Sequence, residues 1–270
     1  MVRRMLTKYV ARGLVWLLAI ALCAYVVVCA LLFLFQRSFI YHPTPASVDT
    51  ATQTTSFQRE GADLVVSIHS DTGSHAVLYF GGNGEDVSQS LPLLVEAFPH
   101  TAIYALHYRG YGGSTGKPTE RNLVADGIAL FDAIHKEHED VTVIGRSLGS
   151  GIAIHVASLR PASRLVLVTP YNSILELAAE RFKFLPINLL LRDKYESWRF
   201  APRISVPTTI IAAENDGVIP MPSTQRLLAH FKAGIVSFIV ISDAGHNDIS
   251  DHPEYVPALR NTVSLGEAIH

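Results

Sequence analysis

The sequence predicts an α/β protein in which a mainly parallel sheet of about eight strands is flanked by helices and preceded by a transmembrane helix. Two patterns in the 270-residue chain support this prediction. Short, β-branched apolar runs alternate with helix-like stretches, which is typical of parallel sheets covered on both faces. In addition, one uncharged apolar segment near the N-terminus is long enough to cross a bilayer.

The apolar segment comprises residues 14–35, which are 22 residues without a charge. As a helix it would extend about 33 Å, close to the thickness of the hydrocarbon core of a bilayer. Four basic residues precede it, and residues 1–35 contain no acid. The positive-inside rule therefore predicts a signal anchor with a cytoplasmic N-terminus and the rest of the chain on the extracytoplasmic side. The alternative is a cleaved signal peptide, but its apolar region is usually only about 7–15 residues long.

Charge is distributed unevenly along the chain. The formal net charge is −2, but residues 36–270 carry 18 Lys and Arg against 24 Asp and Glu, a net charge of −6. This balance argues against nucleic acid as a partner, whereas the basic tail suits an anionic lipid surface. Both cysteines, Cys23 and Cys29, lie in the apolar segment, so no disulfide framework is expected.

Three parts of the chain are predicted from composition. Residues 1–36 form the tail and signal anchor, residues 37–60 a linker and first edge strand, and residues 61–270 the globular domain. Strands are predicted at 64–68, 76–80, 101–106, 141–145, 164–169, 208–213 and 236–241, and helices near 86–98, 119–138, 148–160, 222–233 and 254–268. The first two of these strands are close enough in sequence to form an antiparallel hairpin.

The irregular stretch at about 170–205 is predicted to be a short helical cap insertion and a candidate lid. Its apolar side chains have two interpretations. They could cover an acyl pocket or dip toward the membrane, or they could simply pack the insertion onto the core. The residues in question are Phe182, Phe184, Leu185, Leu189, Leu190 and Leu191.

Two stretches match the pattern G-x-S-x-G, one around Ser114 and one around Ser147. A nucleophile elbow needs a strand that feeds a tight turn and then a helix, because the strained turn lifts the hydroxyl out of the sheet. Ser147 follows VTVI and precedes a helical stretch, whereas Ser114 lies in a glycine-rich loop. We therefore predict that Ser147 is a nucleophile and that Ser114 has a structural role in its turn.

A serine nucleophile needs a histidine base and a carboxylate that orients the base. Asp216 and His246 each follow a predicted strand, where open α/β sheets place their sites. Glu214 is the alternative carboxylate. Backbone donors for the oxyanion are predicted at Leu148, directly after the nucleophile, and at Asn83, in the loop FGGNGED.

These motifs together resemble the α/β-hydrolase family, and in particular its single-pass, membrane-anchored serine esterases and lysophospholipases. The resemblance covers about residues 60–265 and rests on FGGNGED, YRGYGGSTGKPTE, IGRSLGSGIA, ENDGVIP and AGHNDI in family order. It implies an α/β-hydrolase fold, and it implies that Tyr108, Arg109 and Tyr111 line the substrate pocket. The family often has His-Gly where this chain has Gly81-Gly82. Arg146, beside the nucleophile, is either a packing residue or a contact for a polar or anionic substrate.

The predicted function is a membrane-anchored serine hydrolase that cleaves carboxylic esters or thioesters. Its substrate would be a small acyl ester or a lipid-like molecule, with no cofactor and no metal, because the sequence has no metal-binding motif. A peptidase or amidase that uses the same three residues is the alternative. A membrane-tethered binding protein without turnover is a further alternative. A dehalogenase is disfavoured, since that chemistry wants an aspartate at position 147.

Overall fold

The computed structural model describes residues 2–46 and 53–267. The described residues form a single eight-stranded sheet with helices on both faces. The strands are β1 (Gln53–Arg59), β2 (Ala62–His69), β3 (His75–Phe80), β4 (Ala102–Leu106), β5 (Asp140–Arg146), β6 (Arg164–Val168), β7 (Thr208–Ala213) and β8 (Val236–Ile241). The helices are α1 (Val2–Ile40), α2 (Leu91–Ala97), α3 (Glu120–Ile134), α4 (Leu148–Leu159), α5 (Ile174–Arg181), α6 (Ile187–Leu190), α7 (Met221–Leu228) and α8 (Tyr255–Glu267). The predicted fold class is confirmed.

The strand order in the sheet is β1-β2-β4-β3-β5-β6-β7-β8. Strands β1, β2 and β4 pair antiparallel, and every pair from β4 through β3 to β8 is parallel. The predicted hairpin between the runs 64–68 and 76–80 is therefore wrong, because β4 lies between β2 and β3. The chain crosses over from β3 through α2 to β4, and β4 then pairs with β3 on one side and β2 on the other, while β2 forms its hairpin with β1.

Successive side chains of the central strands point alternately into two hydrophobic layers, one on each face of the sheet. From β3, Leu78 and Phe80 pack on the face that α3, α4 and α7 cover. Val77 and Tyr79 point to the opposite face, beneath α2 and α8. Because both faces are covered, strands such as β3 are buried along nearly their whole length and read in sequence as continuous apolar runs.

Helix α1 ends at Ile40, four residues beyond the predicted boundary of the anchor. Its stretch Ala11–Ile40 is long and apolar enough to cross a bilayer. The predicted linker, residues 37–60, is thus helical at its start and irregular over 41–46. It ends in the edge strand β1, and residues 47–52 lie outside the described part of the chain.

The insertion between β6 and β7 contains α5, α6 and two short 3-10 turns. We call residues 170–205 the cap. Of its predicted apolar set, Phe182, Leu185, Leu190 and Leu191 line a cavity next to Ser147. Phe184 and Leu189 point outward instead.

Candidate active site

Ser147 occupies a strained turn between β5 and α4. Its backbone angles are φ +48° and ψ −116°, a conformation that non-glycine residues rarely adopt and that costs about 1–3 kcal/mol. The two flanking glycines are required by space. A Cβ on Gly145 would lie 2.5 Å from the carbonyl oxygen of Gly149, and one on Gly149 would lie 2.1 Å from that of Phe80. The turn therefore holds the Ser147 hydroxyl at the carboxyl edge of the sheet.

The structure brings together the three side chains predicted for a Ser-His-Asp triad. Ser147 Oγ is 2.8 Å from His246 Nε2, and His246 Nδ1 is 2.8 Å from Asp216 Oδ2. His246 follows β8 and Asp216 follows β7, so neighbouring parallel strands present them at the same edge as the elbow. Both side chains are largely buried, at 9% and 4% exposure. In this arrangement, the histidine can take the serine proton while the carboxylate orients the imidazole.

Asp216 is itself fixed by the backbone that follows it. Its Oδ1 accepts hydrogen bonds from the amides of Val218 (2.9 Å) and Ile219 (2.7 Å), which leaves Oδ2 to His246. The alternative carboxylate, Glu214, instead accepts from the amide of Asp243 at 2.9 Å. The geometry therefore favours Asp216 as the orienting carboxylate.

The two residues predicted to supply oxyanion donors, Leu148 and Asn83, line the same cavity as Ser147. Leu148 is the first residue of α4, so its amide has no acceptor within the helix. Asn83 lines the same cavity as Ser147, in the loop after β3. The side chain of Asn83 is held on both ends: its Nδ2 donates to the carbonyl of Ile40 at 2.7 Å, and its Oδ1 accepts from the amide of His42 and from the Tyr111 hydroxyl.

Glu85 and Arg146 connect the loops around the site. This connecting role was not predicted from the sequence. The Glu85 carboxylate accepts hydrogen bonds from Tyr79 Oη, Ser90 Oγ and the amide of Gly82. Because Gly82 already donates to this carboxylate, its amide is not free to receive an oxyanion. A signal that could have revealed Glu85 is its position as an acid in a glycine-rich loop directly after a buried strand.

The Arg146 guanidinium lies between two loops: residues 81–86 after β3, which we call the oxyanion loop, and the loop after β8 that carries His246. Its Nη1 is 3.6 Å from Glu85 Oε2, and its Nη2 donates to the carbonyls of Asn247 (3.1 Å) and His246 (3.5 Å). Burial lowers the pKa of Arg146, but the Glu85 carboxylate and two nearby tyrosines raise it, and the net shift is upward. Arg146 therefore stays cationic and ties the two loops together.

Tyr108, Arg109 and Tyr111 of the YRGYGGS loop are not among the residues that line the apolar cavity, and their side chains bond to other parts of the fold. Tyr108 donates to the carbonyl of Gly81 at 2.7 Å, and Tyr111 donates to Asn83. Arg109 forms a two-pronged, buried ion pair with Asp126. Ser114 Oγ donates to the carbonyl of His107 and accepts from the amide of Val65, which is the structural role predicted for it. Each of these four side chains is therefore hydrogen-bonded to another residue of the fold.

Two cavities of opposite character meet at Ser147. The larger, about 620 Å³, is lined almost entirely by apolar side chains from α1, from the cap and from residues 218–219. The smaller, about 180 Å³, is polar and is lined by the oxyanion loop together with Arg146, Ser147, His246 and Asn247. Of these two cavities, His246 lines the polar one. No group of three or more metal-ligating side chains occurs in the portion of the chain that the structure describes.

Comparisons with known proteins concern the family and the fold. A family model described as serine aminopeptidase, S33 (Hydrolase_4) matches residues 75–198. The uncharacterized protein Rv2307c of Mycobacterium tuberculosis is 32% identical over 231 residues, which cover 79% of this chain and 81% of that protein. Human alpha/beta hydrolase domain-containing protein 17B is 26% identical over 201 residues, covering 72% and 68%. Among solved structures, the Pyrococcus furiosus esterase Pf2001 superposes with a TM-score of 0.63 at 16% identity, covering 83% of this chain and 97% of that one.

Proposed function

Since the chain belongs to the α/β-hydrolase family, we propose that it is a membrane-anchored serine hydrolase that cleaves carboxylic esters or thioesters through Ser147, His246 and Asp216. The observation that carries the proposal is the unbroken hydrogen-bonded line from the Ser147 hydroxyl through His246 to Asp216, at 2.8 Å for each contact. The strained elbow is a second support, because a structural serine needs no such turn.

The mechanism follows from the positions of these groups. Ser147 Oγ attacks the substrate carbonyl as His246 Nε2 takes its proton, and Asp216 stabilises the imidazolium that results. The amides of Leu148 and Asn83 receive the negative charge of the tetrahedral oxygen. When this intermediate collapses, His246 returns the proton to the leaving alcohol or thiol, which leaves an acyl group on Ser147. Water, deprotonated by His246, then attacks the acyl carbonyl, and the acid is released as His246 returns the proton to Ser147 Oγ.

The test uses the full chain in detergent, p-nitrophenyl butyrate and a fluorophosphonate that labels activated serines. Ser147→Ala should abolish labelling and lower ester turnover by a factor of about 10⁴ or more. Ser114→Ala is the matched control from the other G-x-S-x-G sequence and should retain labelling. Labelling that persists in Ser147→Ala would refute the proposal. Absence of labelling and turnover in the unmodified chain would favour a binding protein without catalysis.

Hydrolysis of amide bonds is a second candidate, supported by the description of the matching family model as a serine aminopeptidase. The same three residues can perform it, because only the leaving group differs. The apolar cavity beside Ser147 favours an acyl substrate instead. Parallel assays with p-nitrophenyl esters and p-nitroanilides of the same acyl group separate the two, and a higher kcat/KM for the anilide would establish the amidase.

The location of the protein is part of the proposal. Residues 1–36 would contain the cytoplasmic tail and most of the anchor. Residues 61–270, including the cap, would form the hydrolase domain on the extracytoplasmic side. The apolar stretch of α1 and the basic residues before it support this orientation. Protease added outside sealed cells or spheroplasts should digest the hydrolase domain, whereas protection of that domain would reverse the assignment.

A further inference from the structure

The C-terminal end of α1 forms one wall of the apolar cavity at Ser147. Leu32, Gln36, Phe39 and Ile40 contribute side chains to its lining, opposite α5, α6 and the connection between them. The chain segment that would anchor the protein thus also encloses its candidate active site. A tether joined by a flexible linker would not do this.

Polar contacts hold α1 against the cap at a fixed angle. Gln36 donates through Nε2 to the carbonyl of Leu190 and accepts at Oε1 from the amide of Arg192. Arg37 forms an ion pair with the buried carboxylate of Asp193, 3.0 Å away. These contacts join the C-terminal end of α1 to the cap.

Tyr41 extends this attachment beyond the end of the helix. Its hydroxyl donates to Asp193 at 3.2 Å and lies 2.9 Å from the hydroxyl of Tyr195, and both tyrosines are buried. Separating the members of a buried hydrogen-bonded network leaves polar groups without partners, which is energetically costly. The cap and α1 therefore behave as one unit.

The tip of the cap lies beside the apolar span. The Tyr25 hydroxyl donates to the carbonyl of Phe184 at 3.0 Å, and Tyr25 is about 16 Å along α1 from Gln36, toward the middle of the span. The side chains of Phe184 and Leu189 are 92% and 82% exposed. If residues 14–35 span a bilayer, the contact with Tyr25 puts these exposed apolar side chains at the depth of the lipid acyl chains.

Chemistry assigns the two cavities to the two halves of a substrate. His246 must return its proton to the leaving group, so the leaving group has to be on the His246 side of Ser147. That side is the polar cavity. The acyl chain is then left with the apolar cavity, whose exposed lining residues Phe39 and Phe182 mark an open edge between α1 and the cap.

On the basis of the proposed function, we infer that the substrate is a bilayer amphiphile, and that its single long acyl chain enters from the membrane between α1 and the cap while its polar head occupies the cleft at His246. The apolar cavity takes the chain, the carbonyl carbon sits at Ser147, and the head group leaves as the alcohol or thiol. Helix α1 therefore serves as part of the acyl-binding site as well as the anchor.

The first experiment measures chain-length selectivity of the full chain in phosphatidylcholine vesicles. The ratio of kcat/KM for p-nitrophenyl hexadecanoate to that for p-nitrophenyl acetate is compared between variants. Leu32→Trp fills the cavity from α1 and should lower this ratio about tenfold or more. Leu34→Trp adds the same bulk at a position 68% exposed on the same helix and should leave the ratio unchanged. An unchanged ratio in Leu32→Trp would overturn the inference.

Entry from the membrane is tested by diluting the substrate within the bilayer. At a constant bulk concentration of the hexadecanoyl ester, additional phosphatidylcholine should lower the rate in proportion to the mole fraction of substrate. A rate that follows the bulk concentration alone would show entry from water and refute the inference.

A third measurement does not depend on any change in the cavity. In a chain with Cys23→Ser and Cys29→Ser, an environment-sensitive nitrobenzoxadiazole dye is attached at Leu189→Cys or, as control, at Ser56→Cys on the exposed strand β1. Reconstitution should shift the emission of the first dye to the blue and leave the second unchanged. Equal emission at the two positions would place the cap tip in water, against the inference.

These outcomes separate the inference from the proposed function. If fluorophosphonate labelling of Ser147 and acetate turnover persist while the selectivity and dye results fail, only the acyl-chain inference falls. If labelling and acetate turnover are absent from the unmodified chain, the proposed function falls with it.

Discussion

Replacing Arg146 by methionine tests whether the guanidinium holds His246, the proposed catalytic base, in place. Methionine keeps much of the length and apolar volume of the arginine stem but removes the donors to the carbonyls of His246 and Asn247 and the charge beside Glu85. Arg146 lines the polar cavity, but its hydrogen bonds go to the carbonyls of His246 and Asn247 and not to Ser147 Oγ or the His246 imidazole. It acts through the loop that carries His246, and we therefore treat it as a positioning residue.

The size of the effect can be worked out from these contacts. A hydrogen bond from a charged donor contributes about 1.5–3 kcal/mol. Loss of a buried ion-pair partner costs about 3–5 kcal/mol, but Glu85 keeps three other hydrogen bonds. We expect a loss of about 2–3 kcal/mol in the free energy of unfolding. Because a displacement of about 1 Å at a catalytic group can cost about 10²-fold, we also expect kcat to fall about 10- to 100-fold.

The assay measures kcat and KM for p-nitrophenyl butyrate together with the thermal midpoint. Arg146→Met should lower kcat while KM changes little, and Arg146→Lys should recover part of kcat because it restores the charge. Arg160→Met is the control, since Arg160 pairs with Asp132 at the surface, away from Ser147. If kcat of Arg146→Met equals that of the unmodified chain, or falls no more than in the control, the positioning role is refuted.

Three further predictions concern folding. Gly149→Ala should lower the free energy of unfolding by about 3 kcal/mol or more and abolish fluorophosphonate labelling, because the new Cβ would overlap the carbonyl of Phe80; labelling at the unmodified level would contradict this. Arg109→Met should cost about 3 kcal/mol, measured by denaturant unfolding, because it strips a partner from buried Asp126, and it should leave KM unchanged; a raised KM would restore Arg109 to the pocket. Burial lowers the pKa of His155, so the folded state binds its proton less readily than the unfolded state. Stability should therefore fall as the pH drops below about 6.5, and His155→Gln should reduce that dependence in thermal unfolding, whereas an identical pH dependence would refute the assignment.

The sequence was sufficient to predict the strands of the parallel part of the sheet and the placement of Ser147, Asp216 and His246 at their carboxyl ends. Parallel strands end at one edge, so Ser147, Asp216 and His246, each directly after an apolar run, could be expected to meet there. The glycines around Ser147 carried the same information, because the turn has no room for a side chain. Such features depend on local pattern and on the general geometry of parallel sheets.

Contacts between distant segments could not be predicted in this way. β4 lies between β2 and β3 in the sheet. No pattern within β2, β3 or β4 indicates which strands will be neighbours. Gln36 meets Leu190 across 154 residues of sequence, and only the isolated polar side chain at the end of an apolar span hinted at a partner. The hydrogen bonds of Tyr108 to Gly81 and of Tyr111 to Asn83 could not be predicted either, because loop composition does not show which distant residue a tyrosine will contact.

The side chain of Asn83 is bound to the carbonyl of Ile40 and to the amide and imidazole of His42, immediately after α1. A cut between α1 and the rest of the chain would therefore affect both the membrane location and the candidate active site. A protease that released the hydrolase domain by cutting after residue 42 would also remove three of the contacts that hold the oxyanion loop, and the shed enzyme would be impaired. Exchanging α1 for an unrelated membrane helix would act differently, because it would remove the side chains of Leu32, Gln36 and Phe39 from the wall of the apolar cavity.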